Sequence, residues 1–86
     1  MEIEFDPAKD AINVAKHGLS LAGAAAFEIA TAVVQVDDRF DYGEVRFRAF
    51  GRVAGQGRCL VFTCSGGRIR AISYRRAREK ELRRYE

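Results

Sequence analysis

The sequence predicts an α+β fold, with helices packed on a mainly antiparallel sheet. Three observations point there. Helical signals fill the chain up to about Ala30, and from Ala32 the apolar residues recur with a period of two. The strand-like runs that follow are joined by short connections rich in glycine, which suit antiparallel neighbours. A second helical stretch closes the order as (β)ααββββα, so the helices flank the sheet instead of alternating with its strands. At 86 residues the chain is expected to be one domain, residues 1–86.

Taken in order, Glu2 to Phe5 can form a short strand. Asp6-Pro7 starts a helix, because aspartate caps well and proline suits the first helical position. That helix runs to Lys16-His17 and stops at Gly18, which supplies a left-handed terminal turn. Ser20 reads as the cap of a second, alanine-rich helix through about Ala30, weakened by Gly23 where a capping box would place glutamate. Val33–Asp37 is a strand, 38–43 an acidic loop, and Glu44–Val53 a longer strand with Arg46, Arg48, Phe50 and Arg52 on one face. After a glycine turn at 54–57, Arg58–Cys64 is apolar on both faces and is placed centrally in the sheet. Ser65-Gly66-Gly67 forms a tight hairpin into Arg68–Tyr74, and Arg75–Tyr85 is a helix. The expectation is two N-terminal helices, four strands plus the optional first one, and a C-terminal helix.

Composition narrows the function classes. A hydrophobic content of 48% is that of a folded protein. No apolar run reaches the length of a membrane span or of a signal peptide's core, so a cytoplasmic protein is expected, with no membrane partner. Cys59 and Cys64 lie five apart in one strand, face opposite ways and cannot pair with each other there; they read as buried thiols. One histidine and two separated cysteines make no zinc-site spacing, and no metal or cofactor is expected. Charge is the strongest signal. Residues 1–45 carry nine acids against three basic residues, whereas residues 46–86 carry twelve basic residues against three acids. A basic half of this kind suits a polyanionic partner, most often nucleic acid.

A set of residues spread over nearly the whole chain carries a more specific resemblance. They are Asp6, Lys9, Asn13, Lys16-His17-Gly18 and Leu19-Ser20, then Glu44, Arg46 and Gly51, then Arg70-x-Ile72-Ser73-x-Arg75-x-Ala77, Glu81 and Tyr85. In order and spacing the chain resembles the BrnT toxins of bacterial toxin–antitoxin pairs. It departs from them at Phe5, where tryptophan is usual, and at Leu21-Ala22-Gly23-Ala24, where a more acidic stretch is usual. The resemblance implies a RelE-like fold and an RNA-cleaving toxin. It also implies a BrnA-like antitoxin that silences the toxin in a hetero-oligomer and supplies the only contact with operator DNA.

Metal-free RNA cleavage needs a base for the ribose 2′-hydroxyl, a cation for the phosphorane and an acid for the leaving oxygen. His17 is the one side chain whose ordinary pKa lies near neutrality, and Lys16 stands beside it. The plainer alternative is that both merely complement the helix dipole. Arg70 and Arg75 are candidates for holding phosphate; the alternative for each is a salt bridge to an acid such as Glu44 or Glu81. Five residues apart, they would face opposite sides of an uninterrupted strand, but Arg75 falls at the strand–helix junction. Glu81, on a partly apolar helix face, suits the orienting of an arginine better than proton abstraction. Tyr85 can donate a proton or stack on a base, or simply pack. Arg46, Arg48 and Arg68 extend the basic surface for RNA, with a solvated sheet face as the alternative for Arg48. Arg76, Arg78, Lys80, Arg83 and Arg84 read as a solvated basic face. A catalytically silent basic module, or a structural subunit that helps a partner bind DNA, would share the charge pattern without the convergence of these side chains.

Overall fold

A computed structural model describes residues 3–85; Met1, Glu2, Glu86 and the side chain of Tyr85 lie outside what it describes. Helix α1 spans Pro7–His17. Asp6 accepts the Ala8 N–H at 2.9 Å, Pro7 opens the first turn, and Gly18 closes the last at φ 72° with its N–H on the Val14 carbonyl. The expected second helix is not α-helical. Ser20 does cap, accepting the Ala22 N–H, but the chain winds in 3-10 turns at Leu21–Ala26 and Ile29–Thr31. Between them Phe27 is extended and its ring is buried edge-on to Tyr74, packed so closely over Gly51 that a Cβ there would lie 3.1 Å from it. With Gly23 already weakening the helix, burial of Phe27 decides the local backbone.

Among the described residues five strands form one mixed sheet in the order β1-β5-β4-β3-β2: β1 is Ile3–Glu4, β2 Val33–Asp37, β3 Arg46–Val53, β4 Gln56–Ser65 and β5 Arg68–Arg76. The last four make an antiparallel meander, and the short first strand docks parallel on β5. Gly66 and Gly67 both take positive φ in the two-residue turn between β4 and β5. β5 outlasts its expected end at Tyr74, since Arg75 and Arg76 still pair with Cys59 and Arg58, and the Ala77 N–H donates to the Gly57 carbonyl. Helix α2 therefore begins at Glu79, not Arg75, and ends at Tyr85. Glu81 accepts the Arg78 N–H at 2.8 Å, the return half of a capping box.

Cross-strand partners share a face, so the register sorts the side chains. Ala49, Leu60, Phe62, Ile69, Ala71 and Tyr74 form the core with Leu21, Ala24 and Phe27 from the covering segments. The opposite face carries Arg46, Arg48, Phe50 and Arg52 of β3 with Arg68, Arg70, Ser73 and Arg75 of β5. One end of it is covered by Leu82 of α2, which packs on Phe50 and Cys59. The cysteines do point to opposite faces, but only Cys59 is buried; Cys64 is exposed near the hairpin. Among the described residues no helix is long and apolar enough to cross a membrane.

Candidate active site

A β-bulge decides where the basic residues meet. Val61 stands opposite Ser73 but Phe62 opposite Ala71, so Ile72 is an extra residue in β5. Before it Ile69 and Ala71 face the core; after it Tyr74 does. The slip in parity returns Arg75 to the same face as Arg70 despite their odd spacing.

The end of α1 is fixed beside this bulge by Asn13, which is buried. Its amide donates to the carbonyls of Leu19 (2.7 Å) and Tyr74 (2.8 Å) and accepts the Tyr74 N–H (3.1 Å). Asn13 thus satisfies the free edge of β5 as a neighbouring strand would, and sets Lys16 and His17 next to Ser73 and Arg75. Arg76, expected to be solvated, donates to the His17 carbonyl at 3.3 Å and closes the helix end.

The result is a cavity of about 240 Å³ that Lys16, His17, Arg46, Arg48, Ser73 and Arg75 line together with the Asp37–Arg39–Tyr42 group. It is smaller than the roughly 300–1,000 Å³ of pockets for whole drug-sized ligands, and suits one unit of a polymer. Burial first, then the charges of Lys16 and Arg75, holds the His17 pKa below its ordinary 6.5, so the imidazole is neutral at pH 7. Arg75 is braced by Glu81 through paired bonds of 3.1 and 3.0 Å, and also donates to the Arg76 carbonyl. Those contacts use three of its five N–H groups. One N–H on Nε and one on Nη2 remain, side by side, for an anion. Hydrogen bonds from Arg75, then from the Arg78 N–H, lower the Glu81 pKa, so this carboxylate stays charged and is a poor proton acceptor. The Nε of Arg48 is buried without an acceptor, an orphan that a bound anion would satisfy.

On the loop side, Arg39 grips the buried carboxylate of Asp37 with bonds of 2.7 and 2.9 Å, and the Tyr42 hydroxyl adds a third at 3.2 Å. These bonds, led by the one from Arg39, hold the Asp37 pKa well below the usual carboxylate range. The Arg46 guanidinium stacks on Tyr42 at 4.1 Å. This group was not singled out from the sequence, where Asp37 and Arg39 registered only as charges. Its signal was an Asp-x-Arg at a strand end, too common to stand out.

Two expected site residues lie apart from the cavity. Arg70 pairs with Glu44 at 3.0 Å, and Arg68 with Glu4 at 3.7 Å, around a separate depression at the other end of the face. Glu81 reaches the cavity only through Arg75, and the side chain of Tyr85 is outside the described residues. No group of three or more His, Cys, Asp or Glu side chains is placed to hold a metal ion among the described residues.

Comparison with known proteins defines the class. The family model for the ribonuclease toxin of type II toxin–antitoxin systems matches residues 5–81. That family is BrnT, and the chain belongs to it. The fold is similar to the crystal structure of the Brucella abortus ribonuclease toxin BrnT, with a TM-score of 0.72 and 28% identity, covering 92% of this chain and 99% of that one. No curated protein sequence matches the chain.

Proposed function

We propose that this chain is a single-domain endoribonuclease toxin of RelE-like fold that cleaves RNA without a metal ion. His17, neutral at pH 7, takes the proton from the ribose 2′-hydroxyl. Arg75, aimed by Glu81, and Arg48 neutralise charge on the phosphorane. Lys16 and Arg46 hold the adjoining phosphates, and Arg68 and Arg70 guide the strand where it leaves the cavity. Tyr85 is the proton donor to the leaving 5′-oxygen. The observation that carries this reading is the sharing of one cavity by His17, Arg48 and Arg75. A BrnA-like antitoxin covers the basic face, forms a hetero-oligomer with the toxin, and makes any contact with operator DNA itself.

The test is to incubate purified, antitoxin-free protein with RNA in EDTA and to analyse the new ends. Cleavage is expected to survive chelation and to leave 2′,3′-cyclic phosphate or 3′-phosphate ends. Products with 5′-phosphate ends that form only on adding magnesium would exclude this chemistry.

A further inference from the structure

The loop from β2 to β3 holds an aromatic pair that the cleavage reading leaves unused. Phe40 is 70% exposed, the most open of the large hydrophobic side chains among the described residues. A lone exposed ring is ordinary on a protein surface; the mount of this one is not. Phe40 meets Tyr42 edge-on, with ring centroids 5.9 Å apart. Tyr42 is fixed in turn by its hydroxyl on the buried Asp37 and by the Arg46 guanidinium over its face. Tyr42 and Arg46 both line the cavity that holds His17 and Arg75. Phe40 therefore stands one ring away from the reactive cavity, on a braced support and open to water.

We propose that Phe40, braced by Tyr42, is a stacking platform for one base of single-stranded RNA whose phosphate lies in the cavity. The inference rests on the cleavage reading and adds a base contact to it. An unstacked base offers a π-face whatever its identity, and an aromatic side chain beside a basic groove is how single strands are commonly held. Charge separates the two parts of the nucleotide. Arg46, Arg48 and Arg75 line the cavity; beside Phe40 in the chain stand Asp41 and Arg39, and the guanidinium of Arg39 is taken up by the Asp37 carboxylate. Phosphate is drawn to the cavity cations, so the uncharged base is what reaches the ring.

The experiment compares antitoxin-free wild type, Phe40→Ala, Phe40→Trp and Arg75→Ala. Two fluorescent single-stranded oligomers of equal length serve as probes, both 2′-O-methylated to block cleavage, one with bases and one abasic. Phe40→Ala is expected to weaken binding of the base-bearing oligomer about tenfold and to leave the abasic one unchanged. Phe40→Trp is expected to retain binding. Arg75→Ala should weaken both oligomers alike. Thermal unfolding of Phe40→Ala should match wild type, because the ring is outside the core. Equal affinities of wild type and Phe40→Ala for the base-bearing oligomer would overturn the platform, and so would an equal loss on the abasic oligomer. Loss of antitoxin binding with RNA affinity intact would reassign Phe40 to the protein partner. If wild type bound neither oligomer, the RNA reading itself would fall and the platform with it. If Arg75→Ala alone had no effect, the cavity would not hold the phosphate, and the proposal that ties Phe40 to it would be overturned.

Discussion

Arg75→Ala is expected to remove most of the RNA-cleaving activity while leaving the chain folded. Three of the five N–H groups of Arg75 are committed, two to Glu81 and one to the Arg76 carbonyl, and two remain to meet the phosphorane. Deleting a preorganised donor of that kind costs about 2.7–4 kcal/mol in activation free energy, or roughly 10²–10³ in rate. Glu81→Gln is a milder change that keeps the carbonyl oxygen needed by the Arg78 N–H. Arg75 and Glu81 are each about a third exposed, so water screens the pair and its direct contribution to stability is at most about 1 kcal/mol. Its effect falls on the aim of the guanidinium, for which about tenfold in rate, or ~1.4 kcal/mol, is expected. Because Glu81 acts through Arg75, the two losses should not add: Glu81→Gln placed on Arg75→Ala should cost nothing further. Arg75→Lys should recover little, since lysine lacks the fork that both Glu81 and the phosphate use. Single-turnover cleavage of a labelled RNA in EDTA measures these rates, with thermal unfolding run beside it. A folded Arg75→Ala protein cleaving at the wild-type rate would remove Arg75 from the site. A tenfold loss from Glu81→Gln in the Arg75→Ala background would make Glu81 an independent catalytic group.

The pH profile tests His17. A base must be neutral, so kcat/KM should be flat near pH 7 and fall as pH drops through the His17 pKa, below 6.5. Lys16→Ala removes one of the charges that lower this pKa and should move the acid limb upward; a limb that stays in place would dissociate the titration from His17. The junction before α2 is tested at Gly57, where an added Cβ would come within 2.5 Å of the Ala77 carbonyl and 2.7 Å of Leu82. Gly57→Ala should destabilise the chain by about 1–3 kcal/mol, read by denaturant unfolding, and an unchanged midpoint would show that the strand and helix part without cost.

Much of the fold is legible because local signals and tertiary packing agree there. The Asp6 cap, the Gly18 terminus, the Gly66-Gly67 turn and the doubly apolar β4 all have a local cause that the structure keeps. The misread elements are those where a distant contact prevails. Phe27 breaks the alanine-rich segment to enter the core, and the Ala77 N–H follows the Gly57 carbonyl before α2 can start. Neither partner is adjacent in sequence, so propensity and period carry no trace of them.

The site follows the same rule with a sharper consequence. Counting residues along β5 separates Arg70 from Arg75; the extra residue at Ile72 reunites them on one face, and no residue type at 72 announces a bulge. Charge polarity is also altered by folding. The acidic half does not stand apart from the basic half but supplies partners for it: Glu44 joins Arg46 and Arg70, Glu4 meets Arg68, and Asp37 holds Arg39. Arg75 and Arg52 meet acids of α2. A basic stretch of sequence is therefore not uniformly a basic surface. What survives neutralisation is local: the buried Nε of Arg48, the two remaining donors of Arg75 and the ammonium of Lys16, gathered around a histidine whose pKa is lowered by burial and then by Lys16 and Arg75. That residue of positive charge is small enough to mark one phosphate. It also helps His17 to serve as a base: burial first, and then Lys16 and Arg75, two of the cations that draw the RNA in, keep a proton off the imidazole.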